Sequence, residues 1–148
     1  NDQSINLYPS LCFVEGTQVS IGRGTDFPFQ VFGSPWLKNH PFKFTPKPNF
    51  GAKDPFLNGK ICNGEDLRNY PEIKEKLDLS FVINAYKNFD KKSQEFFLKN
   101  LWFDTLAGTD ELRKQIISGK SEEEIRNSWK QDLQNFEKIR TNYRIYQD

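Results

Sequence analysis

The sequence predicts an α+β fold, from two observations on texture and one on punctuation. All eight prolines and seven of the nine glycines lie before Glu72, where apolar residues alternate in short strand-like runs. After Glu72 the chain is charged and helix-forming, with apolar residues recurring every three or four positions. Gly108 and Gly119 divide that half into helix-sized pieces. Strand-like sequence followed by helix-like sequence is the α+β arrangement rather than an alternating one. With 148 residues, 36% of them hydrophobic and 15% aromatic, the chain can bury one sizeable core, so a single domain over residues 1–148 is expected.

In chain order, "LYPSLCFVEGT" allows a short helix beginning near Pro9 or Ser10 and stopped by Gly16. "QVSIG" and "FPFQVFG" read as strands that form a hairpin or an edge, because Val19 and Ile21, then Phe27, Phe29 and Val31, alternate with other residues. Phe42 and Phe44 alternate again before a loop governed by Pro46, Pro48, Gly51 and Pro55, and a further strand lies near "GKIC". Leu79, Val82, Ile83, Tyr86 and Phe89 share one face of a helix. "SQEFFLKNLWFDTLAG" predicts a mostly buried helix with Phe96, Phe97, Leu101 and Trp102 inside and Gly108 at its end. Thr109 is placed to cap the next helix, which Gly119 closes. Ser121 and Glu124 then form a capping box. Behind that box Ile125, Trp129, Leu133, Phe136, Tyr143 and Tyr146 fall on one stripe, with Trp102 and Trp129 expected in the core.

Charge narrows the function. With 21 basic and 20 acidic residues the formal net charge is +1, which disfavours a nucleic-acid partner. No apolar run approaches the roughly 20 residues of a membrane-spanning helix, and "NDQSINLYPS" lacks the basic and apolar regions of a signal peptide. The absence of Met and the start at Asn1 fit a piece of a longer chain. A single His and no Cys-x-x-Cys leave no zinc spacing, and no cofactor is expected. Cys12 and Cys62 could be bonded or free, and composition does not choose between them.

The segment "EGTQVSIGRGTDFPFQVFGSPW", Glu15 to Trp36, carries the candidate chemistry. "GRGT" lacks the Gly-Lys-Ser/Thr ending of a phosphate loop, so Gly22 and Gly24 are read as positions of positive φ or close backbone approach. Arg23 is either a plain surface residue or a rigid fork for a carboxylate, with small neighbours leaving room for a ligand. Glu15 and Asp26 are either a pair of acids for glycosidic chemistry or turn residues. Trp36 is a sugar-stacking platform or a core anchor, and His40, before Pro41, is expected on the surface.

"YPSLCFVEGTQVSIGRGTDFPFQVFGSPW", followed by "LAGTDELRKQI", Trp129 and "DLQNFEKIRTNYRIY", resembles the C-terminal domain of the bacterial exo-β-N-acetylmuramidases, over nearly the whole chain from Tyr8 to Tyr146. The resemblance implies a two-domain glycoside hydrolase that removes N-acetylmuramic acid from non-reducing ends of peptidoglycan fragments. A Rossmann-like N-terminal domain would carry the catalytic acids and this chain would form one wall of the cleft. The implied partners are that N-terminal domain and muramyl saccharides, and the link to cell-wall turnover implies export. Arg23 would read the lactyl carboxylate of N-acetylmuramic acid, with Glu15 and Thr25 contacting hydroxyls or holding Arg23, and Trp36 stacking on the sugar. The competing class is a non-catalytic carbohydrate-binding or structural domain. It would be marked by an exposed apolar patch, expected at Phe27, Phe29, Phe32 and Trp36.

Overall fold

A computed structural model describes residues 1–71 and 76–146. Among them are five α-helices and one small antiparallel sheet, which is the α+β class the sequence predicts.

The chain opens with α1 (Asp2–Leu11), earlier than the expected start near Pro9. The Asn1 side chain makes the difference, accepting from the Ser4 amide at 3.0 Å as an N-cap. Pro9 lies inside the helix on its exposed side. A 3₁₀ turn (Cys12–Gly16) continues it, so Gly16 does end the helical run. Gly16 also lets this turn press on the later helix α3, since a Cβ there would stand 2.4 Å from the Phe103 Cα.

The first expected strand pair is reduced to a trace. Residues 19–21 contribute one isolated bridge, Ser20 to Gly33, and the strand β1 (Val31–Ser34) begins well after Phe27. Pro28 has no amide to give a ladder, and Phe29 adopts φ 61°, so the backbone turns there. β2 (Phe42–Phe44) and β3 (Cys62–Asp66) lie where alternation and "GKIC" place strands. β3 is central, with Gly33 and Phe42 both in register with Gly64.

α2 (Ser80–Asn88) buries Phe81, Val82, Ile83 and Ala85. The predicted helix over "SQEFFLKNLWFDTLAG" is instead an irregular stretch with one bridge, Thr17 to Phe97, followed by the short α3 (Trp102–Ala107). The backbone of residues 96–98 bonds across to residues 16–18, Gln18 N to Phe96 O at 2.8 Å and Leu98 N to Gly16 O at 3.0 Å, and this pairing takes the groups a helix would use. Leu101, at φ 56°, turns into solvent, and Trp102 is also exposed rather than in the core. Phe96, Phe97 and Phe103 still pack edge to face.

Gly108 and Gly119 end their helices in the left-handed region, at φ 71° and 81°. α4 (Glu111–Ile117) has Asp110 at its cap, while the Thr109 hydroxyl accepts from the Glu111 amide at 3.2 Å. α5 (Glu122–Arg140) carries the expected capping box. Its apolar stripe is a correction: Ile125 is buried and Trp129 half-buried, but Leu133, Phe136, Tyr143 and Tyr146 are exposed, and Tyr143 and Tyr146 lie beyond the helix end.

The main core centres on Leu11, Val14, Phe32, Leu79, Val82 and Phe103, and a smaller cluster of Val31, Phe44, Leu57 and Cys62 lies against the sheet. Each fully buried aliphatic or aromatic side chain there stabilises the fold by about 1.5–3 kcal/mol. The expected apolar patch does not form, because Phe32 is fully buried and Phe27, Phe29 and Trp36 are half-buried. Both cysteines are free, and burial pushes the Cys62 thiol up to about 12. The His40 ring is largely buried rather than on the surface, with Nδ1 3.3 Å from Glu65 and an edge against Phe32.

Candidate functional site

The "GRGT" loop is a tight turn sewn to a second loop. Gly22 and Gly24 take φ 80° and 81°, a conformation that side chains with a Cβ resist. The Thr25 hydroxyl donates to Gly22 O at 2.6 Å and accepts from the Phe27 amide at 3.2 Å, so it is spent on the turn itself. Lys47 N donates to Gly24 O at 2.9 Å, and the Asn49 side-chain amide to Thr25 O at 3.2 Å. A Cβ on Gly24 would meet the Pro55 ring at 2.6 Å and Lys47 O at 2.7 Å. Close backbone approach is therefore what the second glycine provides.

Arg23 projects from this turn and is half-exposed. Its Nε donates to Glu15 Oε1 at 2.8 Å, and its guanidinium lies 4.8 Å from the centre of the Phe29 ring, which packs edge-on against Tyr8. Neither terminal guanidinium nitrogen has a partner among the described residues. Glu15 and Arg23 are thus brought together, whereas Asp26 is exposed and makes no ion pair among the described residues.

Two grooves flank the Gly24–Pro55 junction. The first, about 490 Å³, is lined by Gly24, Thr25, Asp26, Lys43 and Lys47. Near it the Arg68 guanidinium lies 4.6 Å from the Phe27 ring centre, and its hydrogen bonds hold the Asp66 carboxyl below the usual carboxylate range. The second groove, about 510 Å³, runs beside Trp36 and is ringed by Gln18, Asp54, Asn58, Lys60 and Gln94. Lys60 Nζ sits 5.4 Å from the indole centre, and the indole is backed by Phe89 at 6.1 Å. Trp36 joins both hydrophobic clusters yet keeps part of its surface open, so it is at once an anchor and a groove wall.

The sequence groups Arg23, Glu15, Thr25 and Trp36 as one binding set; the structure brings Arg23 to Glu15 and puts Trp36 in the second groove, whose residues named above do not include Arg23, and the amides and charges around Trp36 were missed. Asp54, Asn58 and Lys60 lie in a loop whose prolines and glycines signalled turns only. Gln18 and Gln94 reach the groove through the 16–18 to 96–98 pairing, which has no local signal. Among the described residues no group of three or more His, Cys, Asp or Glu is placed to hold a metal ion, and no helix is long and apolar enough to cross a membrane.

The family model described as exo-β-N-acetylmuramidase NamZ, C-terminal, matches residues 6–146. The chain belongs to this family. The peptidoglycan β-N-acetylmuramidase NamZ of Bacillus subtilis (strain 168) is 34% identical over 158 residues of alignment, covering 97% of this chain and 38% of NamZ. A crystal structure of a DUF1343 family protein from Bacteroides fragilis NCTC 9343 matches with a TM-score of 0.89 and 42% identity, covering 100% of this chain and 42% of that one. A second DUF1343 protein of the same organism, at 16% identity and a TM-score of 0.60, shares the fold over 96% of this chain. The chain thus spans about two fifths of the length of each of these proteins.

Proposed function

We propose that this domain is the C-terminal part of an exo-acting β-N-acetylmuramidase that releases N-acetylmuramic acid from the non-reducing ends of peptidoglycan fragments outside the cytoplasm. In this reading it forms one wall of the substrate cleft, and the catalytic acids belong to a preceding domain. Family membership supports the coarse reading, and the Trp36 groove is the observation that carries the saccharide role. The part of the indole left open beside Lys60 suits the CH-rich face of a pyranose. The planar amides and carboxylate of Gln18, Asp54, Asn58 and Gln94 offer paired donors and acceptors for hydroxyls and the N-acetyl group.

In this scheme the saccharide extends from the Trp36 groove to the "GRGT" turn, where Arg23 takes the lactyl carboxylate of a unit beyond the one on the indole. Glu15 occupies Nε and fixes the guanidinium plane, which leaves the two terminal nitrogens for a bidentate contact. Thr25 acts through the turn, because its hydroxyl is already engaged.

The test is release of chromophore from an aryl β-N-acetylmuraminide by the full-length parent and by this 148-residue chain, with Arg23→Lys and Trp36→Ala made in the parent. Activity is expected in the parent alone. Arg23→Lys is expected to raise KM for muraminides about tenfold, the loss of one charge-assisted contact, while glucosaminides change little. Activity in the isolated chain, or equal effects of Arg23→Lys on both sugars, would overturn the assignment.

A further inference from the structure

α5 carries one apolar stripe from end to end but is buried at one end only. Ile125 is fully buried and Trp129 packs on the main core. Leu133, Phe136, Ile139 and Tyr143 follow at spacings of three or four along the same side, and each is more than half exposed. At 1.5 Å per residue the helix is about 28 Å long, and the part after Trp129 has no core beneath it.

That half is nonetheless held in shape by local bonds. Glu137 accepts from Arg140 at 3.2 Å and also from Arg144, and the Thr141 hydroxyl donates to Glu137 O at 2.8 Å. These contacts fix the turn after the helix, which carries the exposed Tyr143, Ile145 and Tyr146. A helix face that stays in water carries polar residues. Here Leu133, Phe136 and Ile139 share one side, interrupted by Asp132 and Arg140, while Lys130, Gln134 and Lys138 occupy the opposite side.

We propose that the C-terminal half of α5 is the face on which the rest of a longer NamZ-family polypeptide docks. Two observations favour that occupant over a second copy of this chain. The relatives are long enough to supply it, since this chain matches 38% of one and 42% of another. The match to the Bacteroides fragilis structure also covers the whole of this chain, α5 included, at a TM-score of 0.89, inside a folded chain of which it is 42%. A covalently joined partner also acts at high effective concentration, which favours it over an intermolecular one. The inference rests on the reading that this domain is part of a longer chain, and it does not depend on muramidase chemistry.

The experiment replaces Phe136 and Ile139 together by Glu in the full-length parent and follows limited proteolysis between the domains. Cleavage is expected to be at least tenfold faster than in the unaltered parent. The same pair in the 148-residue chain is expected to leave its melting temperature within about 2 °C, because both side chains are exposed. Sedimentation of the unaltered 148-residue chain is expected to give a monomer. Unchanged cleavage in the parent would overturn the proposal, and so would a dimer of the isolated chain that the Glu pair dissolves. A parent without muramidase activity whose junction still opens in the variant would sink the functional reading and leave the docking face standing.

Discussion

The segment from Thr17 to Asp66 and the helix α5 are opposite kinds of order. The first contains three strands totalling few residues, yet Val19, Val31, Phe32 and Cys62 are almost completely buried, and its loops are joined to one another by long-range backbone bonds. The second is a regular helix with every local device in place, and Ile125 is its one buried residue. Regularity and burial are separate properties here. A capped, periodic helix forms from neighbours three and four positions away, whereas an irregular segment persists only if distant partners hold it.

Emptying the core on one side and trimming the stripe on the other separates the two kinds of order most clearly. Phe103→Ala should cost about 3–5 kcal/mol in urea unfolding, as large buried aromatics do, while Phe136→Ala should stay within about 0.5 kcal/mol. Equal losses would mean that the α5 stripe is packed within this domain after all.

A smaller effect tests the seam between the loops. Gly24→Ala introduces a Cβ against Pro55 and Lys47 O at a positive φ, and should cost about 2–4 kcal/mol. Gly59→Ala, at φ 72° with nothing within 4 Å, should cost only the conformational strain of about 1–2 kcal/mol. Thermal melts of the two variants side by side would show whether close approach or conformation dominates at residue 24.

The smallest concerns the ion pair between Asp104 of α3 and Arg113 of α4, a bidentate pair in which Nε and Nη2 donate to the two carboxylate oxygens at 2.7 Å. The Arg113 hydrogen bonds hold the Asp104 carboxyl below its ordinary 3.8. A depressed carboxylate stabilises the fold fully above its unfolded value and loses that contribution as pH falls through the folded value. Asp104→Asn should therefore lower stability by about 1 kcal/mol at pH 7, and the difference should vanish in melts taken well below pH 3.8.

What the sequence disclosed follows the same division. The capping box at Ser121, the glycine stops at 108 and 119, the face of α2 and the alternation at Phe42 and Phe44 were all legible, because each is set by residues close in the chain. The segment from residue 94 to 100 reads as helix because Phe96, Phe97 and Leu101 sit at helical spacing, yet its backbone is claimed by residues 16–18. Phe29 and Leu101 adopt positive φ without being glycine, which no local rule announces. In the candidate site the close approach at Gly24 was readable from "GRGT". The ring of polar groups around Trp36 was not, because Gln18 and Gln94 are brought there by that same distant pairing.

That pairing also bears on how the domain reaches its fold. Thr17 bridges Phe97 across about eighty residues of intervening chain, and Val31 pairs with Asp66 across some thirty-five. Closing such loops spends chain entropy before any contact rewards it, so the rate of folding is governed by the meeting of these distant segments. α5 can coil and uncoil on the sub-microsecond timescale throughout that search. A covalent cross-link across the Thr17–Phe97 seam would remove the longest of these searches, and is expected to speed folding.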